Sequence, residues 1–300
     1  MERKEIAFNK FYKLFNLISI SLILISLFLL IFKGLNYGVD FKGGTLIEVQ
    51  TSQENSNISL IRESFNKMDL GDVTVKNFGS KNDFIVKFEK KENLEENFIE
   101  NLKNELKKDL GNSFNFRRVE SVGPKVSSEL LKSGILAILL SLGAMLIYIW
   151  IRFEWQFSLG AIAAIFHDVI ITLGFFSILN LEINLSIVAA VLTIVGYSMN
   201  DTVVIFDRVR ENLKKYADIK IFDLTNISIN ETLSRTIITS ITTLLALFSI
   251  YLFGGEILKG FSLAMILGVI FGTYSSIYIA NPILVMLKVS QRTIVKEDKD

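Results

Sequence analysis

Long uncharged apolar stretches along this chain predict six membrane-spanning helices. Residues 14–32 carry no charged side chain over 19 positions, about 28 Å of helix, which matches the hydrocarbon core of a bilayer. Five more apolar stretches follow a charged region, and the chain after residue 133 therefore lies mostly in the membrane. The predicted spans are 14–32, 134–151, 156–179, 183–206, 236–253 and 260–287.

The charged region between the first two spans predicts a separate water-soluble domain. Runs of alternating apolar residues indicate strands, and segments with helical periodicity indicate two helices, the first capped by Ser56 and the second ending at Gly111. The order βαββαβ predicts a ferredoxin-like α+β domain with both helices on one face of an antiparallel sheet. The predicted strands are 44–51, 73–78, 83–89 and 113–120, with Gly79-Ser80 at the turn, and the predicted helices are 57–68 and 93–110.

Basic residues predict the orientation of the spans. They are concentrated before the first span, in the predicted loop 207–235 between the fourth and fifth spans, and after the sixth span. Such segments stay on the cytoplasmic side. Both termini are therefore expected in the cytoplasm and the soluble domain outside it. The predicted division is 1–13 (cytoplasmic N-terminus), 14–32 (first helix), 33–132 (extracytoplasmic domain with its linkers), 133–288 (helices two to six) and 289–300 (cytoplasmic tail).

Composition supports a membrane protein and excludes several kinds of chemistry. Half of the residues are apolar (50%) and the net charge is +1, so no nucleic-acid partner is expected. The chain has no cysteine and one histidine, which excludes disulfides, thiolate nucleophiles and metal sites built from Cys or several His. No Gly-Lys dipeptide occurs, so a Walker A loop is absent. We expect no cofactor, no metal and no enzymatic activity.

Asp201 is one of two acidic residues within the predicted spans, and the other is Asp168. A charge at the bilayer centre costs about 2.5–3.5 kcal/mol on insertion scales, so a buried acid needs a partner, a cavity or a function. Asn200 and Thr202 flank it with hydrogen-bonding groups, and Tyr197 lies one turn earlier on the same face. The pattern favours a protonatable carboxylate, with a structural acid that links two helices as the alternative.

Arg235 and Asp168 are less clear from spacing alone. Arg235 opens the fifth span and begins a polar stripe with Thr239, but a basic residue at a cytoplasmic helix end needs no mechanism. Asp168 follows Gly160 and Ala164 at four-residue intervals, a pattern typical of close helix packing. A structural role and a relay role both stay open for Asp168, as they do for Asn200 and Thr239.

Two further features of the spans favour structural roles. His167, the neighbour of Asp168, is expected to be a hydrogen-bonded interior histidine. The last span repeats small residues at a four-residue period, which predicts a close-packing face. These residues are Ala264, Gly268, Gly272 and Ser276.

Several blocks, in order along nearly the whole chain, make the sequence resemble the SecF side of the SecD/SecF family of protein-export membrane proteins, within the resistance-nodulation-division transporters. The most specific block is VGYSMNDTVVIFDRVREN at 195–212. The other blocks are GVDFKGGT (38–45), VGPKVSSEL (122–130), RFEWQFSLGAIAAIFHDV (152–169), RTIITSITTLL (235–245) and FGGEILKGFSLAMILGVIFGTYSSIYIANP (253–282).

The resemblance implies a multi-pass protein of the bacterial inner membrane that uses the proton-motive force to complete export of unfolded chains. It implies SecD as a separate polypeptide, the SecYEG channel and YajC as partners, and proton conduction by Asp201 and Arg235. Two alternatives stay open. One is a half-transporter of lipids or small hydrophobic molecules, and the other is a scaffold of the translocon that transports nothing.

Overall fold

The structure is a computed structural model that describes residues 5–51, 58–68, 70–78, 80–88, 98–110, 114–216 and 218–294. The chain divides into two compact units. One unit comprises residues 37–135, and the other comprises the residues up to 36 together with 136–300. We call them the external unit and the membrane unit.

Helices dominate the described residues. In chain order they are Tyr12–Phe32 (α1), Val39–Lys42 (α2), Ile58–Asn66 (α3), Phe98–Leu110 (α4), Pro124–Arg152 (α5), Trp155–Ile178 (α6), Leu185–Lys215 (α7), Ile221–Phe253 (α8), Glu256–Ser275 (α9), Asn281–Met286 (α10) and Gln291–Ile294 (α11). A 3-10 turn, Phe8–Phe11, precedes α1, and a π-helical turn, Ser276–Ala280, joins α9 to α10. The strands are Asn36–Tyr37 (β1), Gly44–Thr51 (β2), Thr74–Phe78 (β3), Ser80–Phe88 (β4), Phe114–Val122 (β5) and Glu182–Ile183 (β6).

The prediction of six membrane-spanning helices is confirmed. Within the described residues, six helices are long and apolar enough to cross a membrane, and they are α1, α5, α6, α7, α8 and α9 with its continuation. The sequence prediction was wrong about residues 207–235, which were assigned to a loop. Helix α7 runs to Lys215 and α8 begins at Ile221. Apolar side chains such as Val209 and Leu224 are fully buried there, so packing maintains the helices beyond the apolar stretch.

Helices α6, α7 and α9 form the interior of the membrane unit. At least half of the apolar window of each is buried, against less than a fifth in α1, α5 and α8. The predicted close-packing faces are confirmed. A Cβ on Gly160 would lie 2.8 Å from the carbonyl oxygen of Ala280, and a Cβ on Gly268 would overlap Ile194. Only glycine permits these approaches between neighbouring helices.

The external unit contains a four-stranded antiparallel sheet with the order β3-β4-β2-β5. Ile61 of α3 and Leu106 of α4 belong to one buried core with Ile47 and Val86 of the sheet. The predicted succession of strands and helices is present, preceded by the short helix α2, and the strand order is compatible with a ferredoxin-like sheet. The predicted cap at Ser56 and helix end at Gly111 lie outside the described residues, as does Gly79 at the turn.

The Gly-Gly pair before β2 has a backbone that favours glycine. Gly43 has a φ of 79° and Gly44 a φ of 125°, in the region that residues with a Cβ adopt only with strain. A Cβ on Gly43 would also lie 3.2 Å from the hydroxyl oxygen of Ser127. The pair therefore lets the chain turn into β2 while it packs against the start of α5.

We expect residues 36–124, expressed alone, to fold as a soluble monomer with a cooperative thermal transition. The reason is that this segment has its own apolar core between α3, α4 and the sheet. Circular dichroism and size-exclusion chromatography would measure this. Persistent disorder or aggregation of the fragment would show that the domain depends on other parts of the assembly.

Candidate proton site in the membrane helices

Asp201 lies where α7, α8 and α9 meet. Its side chain is 4% exposed, and the Thr273 hydroxyl of α9 donates a hydrogen bond to its Oδ2 at 3.3 Å. The Ser240 hydroxyl of α8 in turn lies 2.7 Å from the Thr273 hydroxyl. The carboxylate therefore connects to two neighbouring helices through a short chain of hydroxyl groups.

Arg235 is close enough to act electrostatically on Asp201, but no ion pair joins the two within the described residues. Its side chain is exposed on α8. The buried carboxylate therefore has hydroxyl partners, and the Arg235 cation is nearby without a salt bridge to it. Because no salt bridge has to be broken, Asp201 and Arg235 can move apart at a lower cost in free energy than the two members of a buried salt bridge.

The polar stripe predicted on α8 bonds mainly to its own helix. The Thr239 hydroxyl donates to the carbonyl of Arg235 at 3.0 Å, and the Thr242 hydroxyl donates to the carbonyl of Ile238 at 2.8 Å. Thr236 and Ser240 of the same helix are buried instead, and Ser240 contacts Thr273 of α9. The backbone of Thr239 joins α8 to α7, because its carbonyl accepts a hydrogen bond from the Tyr197 hydroxyl at 3.3 Å.

The neighbours of Asp201 in the sequence point in different directions. Asn200 is exposed, and no hydrogen bond joins its side chain to Asp201 within the described residues. Thr202 is buried, and its hydroxyl lies 2.8 Å from that of Ser276 in the π-helical turn. Of these three consecutive residues, Asp201 therefore lies beside the hydroxyls of α8 and α9, and Thr202 contacts the turn after α9.

Asp168 lies in a second buried polar cluster, between α6, α7 and α9. Its Oδ1 is 2.8 Å from Nδ1 of His167. Its Oδ2 accepts hydrogen bonds from Ser198 of α7 at 2.6 Å and from Ser275 of α9 at 2.8 Å. Asp168 and His167 are both completely buried, and the expectation that His167 is a hydrogen-bonded interior residue is confirmed.

The partners of the two acids were missed by the sequence analysis. Ser198, Ser240, Thr273 and Ser275 supply the hydroxyls, and all four belong to apolar helices in which serine and threonine commonly bond to their own backbone. Thr273 and Ser275 flank the small-residue face of the last span. That small-residue face was the one sequence feature that pointed to them, because side chains next to a close helix contact can reach the neighbouring helix.

The hydroxyl partners of Asp201 are compatible with both the ionised and the protonated acid. A hydroxyl can donate to a carboxylate or accept from a protonated acid, so the same groups can serve both states of Asp201. Among the described residues there is no cluster of three or more His, Asp or Glu side chains that could bind a metal ion. Both buried acids instead have partners suited to the transfer or retention of a proton.

Ion pairs join the polar ends of α5, α7 and α8. Arg152 contacts Asp207 at 3.0 Å, and Arg208 contacts Glu231 at 2.6 Å. Asn212 is buried and donates to the same Glu231 at 2.6 Å. These contacts join the helical ends that take the place of the predicted loop.

Comparison with known proteins places these features in a family. Residues 102–290 match the model for "Protein export membrane protein SecD/SecF, C-terminal", and residues 28–54 match the "SecD/SecF GG Motif". The chain is 47% identical to the protein translocase subunit SecF of Rickettsia bellii over 92% of this chain and 91% of that protein. It is 43% identical to SecF of Vibrio alginolyticus over 97% of this chain and 93% of that protein.

A solved structure has the same fold. The crystal structure of SecDF, a translocon-associated membrane protein from Thermus thermophilus, superposes with a TM-score of 0.85 at 33% identity. The match covers 95% of this chain and 39% of that chain. A second structure of SecDF, in the super-membrane-facing form, superposes with a TM-score of 0.71. This chain therefore shares its fold with these SecDF structures over most of its length.

Proposed function

This chain belongs to the SecD/SecF family of protein-export membrane proteins, and from that premise we propose that it pairs with SecD and uses the proton-motive force to drive late stages of export through SecYEG. Its relatives are named as translocase subunits, a transport role that needs no catalysis. The substrate would be an unfolded polypeptide, YajC a further partner, and the bacterial inner membrane the location.

The observation that carries this proposal is the buried Asp201 with hydroxyl partners on two other helices. Protonation would neutralise the carboxylate, weaken its attraction to Arg235 and change which groups Thr273 and Ser240 bond. Helices α8 and α9 would then settle differently against α7. A local change of charge would in this way be converted into a rearrangement of packed helices.

The energy available is sufficient for such a step. One elementary charge that crosses the membrane gains about 2.3 kcal/mol per 100 mV. That amount shifts an equilibrium between two helix arrangements by roughly fiftyfold. The chain passes between the two units at residues 36–37 and, within α5, at residues 135–136. These two connections would transmit the change to the domain that handles the exported chain.

Depletion of this chain should cause secretory precursors to accumulate in cells and should abolish gradient-dependent export in membrane vesicles, with recovery when the chain is restored. The reason is that the proposed role is in transport of proteins. A lipid half-transporter would alter membrane lipids without precursor accumulation. A scaffold would support export equally well with or without an imposed proton gradient, and either result would overturn the proposal.

The basic segments also make the orientation testable. We expect protease added to intact spheroplasts to cleave only within the external unit, because both termini and residues 207–235 are basic and should stay in the cytoplasm. Immunoblots with tags at either terminus would identify the fragments. Cleavage between residues 207 and 235 from outside would reverse the topology and remove the basis for inward proton movement through Asp201.

A further inference from the structure

The pair of His167 and Asp168 lies in the buried interior of the membrane unit. Both side chains have no exposed surface. Oδ1 of Asp168 is 2.8 Å from Nδ1 of His167, and Oδ2 accepts from Ser198 and Ser275. Nε2 of His167 has no hydrogen-bond partner within the described residues. Both carboxylate oxygens of Asp168 thus have hydrogen-bond partners, while Nε2 of His167 has none among the described residues.

Other groups around the pair do not neutralise it. His167 stacks on Tyr274 of α9 with ring centroids 5.7 Å apart, and Phe271 of α9 lies edge-on at 6.3 Å. The Tyr274 hydroxyl is 2.7 Å from Ser19 and donates to the carbonyl of Phe15, both on α1. The acid of α7, Asp201, lies three positions after Ser198. Within the described chain, His167 is the one basic side chain that contacts Asp168, and the two form an ion pair only when His167 is protonated.

The charge of the pair decides whether it can exist in this environment. With Asp168 ionised and His167 neutral, the cluster would hold one uncompensated negative charge away from water, a state that costs several kcal/mol. One added proton removes that charge. It can lie on Nδ1, which gives an imidazolium and a carboxylate, or on Oδ1, which gives two neutral groups, and the two arrangements are states of one pair.

We propose that His167 and Asp168 together hold one proton and form a second protonatable site in the membrane unit, separate from Asp201. The proton lies between Nδ1 and Oδ1, and Nε2 carries its own hydrogen in both arrangements. The ligand of this site is the proton itself. The inference goes beyond the proposed function, since it does not require Asp201 to drive export.

The position of the site gives it a consequence for helix packing. The carboxylate of α6 is bonded to α7 through Ser198 and to α9 through Ser275. Departure of the proton would leave a buried charge, which becomes tolerable only when water reaches it. Loss of the proton is therefore coupled to separation of α6 from α7 and α9, and the loaded pair holds these three helices together.

Histidine NMR can read this site directly, because the chain contains a single histidine. The chain would be labelled with nitrogen-15 histidine and reconstituted in lipid bilayers with unlabelled SecD. We expect Nε2 to be protonated throughout the range from about pH 5.5 to 8.5, without a shift of the ring signals. A ring with Nδ1 protonated and Nε2 bare would overturn the proposal, because the pair would then be negatively charged. So would a ring that titrates with a midpoint near about 6.5, the value in water.

The matched control is Asp201→Asn, which leaves all four side chains of the cluster in place. Its His167 signals should equal those of the unmodified chain at every pH. A change in the protonation of the ring would contradict the separation of the two sites. Since the NMR measurement uses no export assay, it stays informative whether or not Asp201 proves to drive translocation.

Discussion

Asp201→Asn should abolish the gradient-dependent stage of export while leaving the chain folded and paired with SecD. The amide keeps the size of the carboxylate and can accept the Thr273 hydrogen bond, but it cannot titrate. In vesicles with an imposed proton gradient, a partly translocated precursor should stall, and the ATP-driven early stage should continue. Quantification of protease-protected precursor against time would measure the loss.

The control for this substitution is Asp207→Asn on the same helix. Asp207 is partly exposed and forms an ion pair with Arg152 at 3.0 Å, an interaction worth about 0–1 kcal/mol at a surface. This variant should export at nearly the normal rate. Full gradient-dependent export by Asp201→Asn would assign Asp201 a structural role and make the His167–Asp168 pair the next site to examine.

Arg235 variants separate the role of its charge from that of its shape. Arg235→Met should resemble Asp201→Asn if the cation is needed to attract the ionised carboxylate. Arg235→Lys should keep partial activity when only positive charge matters and none when the planar guanidinium group is required. Normal gradient-dependent export by Arg235→Met would show that the residue serves only as a cytoplasmic helix anchor.

A second large effect is expected from Gly268→Val in the last span. A Cβ at this position would overlap the side chain of Ile194 on α7. The helices would have to separate, at a cost of about 1–3 kcal/mol in the free energy of unfolding. Because Thr273 lies on the same helix and bonds Asp201, we expect gradient-dependent export to fall with stability. Thermal unfolding in detergent and the vesicle assay would measure both.

A smaller side chain at position 194 tests whether the overlap with Ile194 causes the Gly268→Val defect. Ile194→Ala should compensate part of the Gly268→Val defect, so that the double variant is less destabilised than the sum of the two single variants. Gly143→Val in α5 is the control, since a Cβ there has no neighbour within 4 Å. Strict additivity of Gly268→Val and Ile194→Ala would contradict the close α7–α9 contact.

Several features of the fold follow from the sequence because local physics determines them. The spans follow from the length of apolar stretches such as 14–32. The close contacts at Gly160 and Gly268 follow from small residues at a four-residue period. The buried position of Asp201 follows from the cost of a charge within an apolar segment.

Other features depend on contacts between distant parts of the chain. The continuation of α7 and the early start of α8 need buried residues such as Leu224 and the Arg208–Glu231 ion pair. The hydroxyl partners Ser240 and Thr273 look the same in the sequence as serines and threonines that bond to their own helix. No local pattern could therefore show that the hydroxyls of Ser198 and Ser275 bond Asp168.

The central claim, that protons pass through the Asp201 site to power export, is tested most directly by proton flux. The complex with SecD would be reconstituted in vesicles that enclose a pH-sensitive dye, and a proton gradient would be imposed. The account predicts proton entry with the unmodified chain and with Asp207→Asn, and its loss with Asp201→Asn. Equal proton entry with Asp201→Asn and the unmodified chain would contradict it.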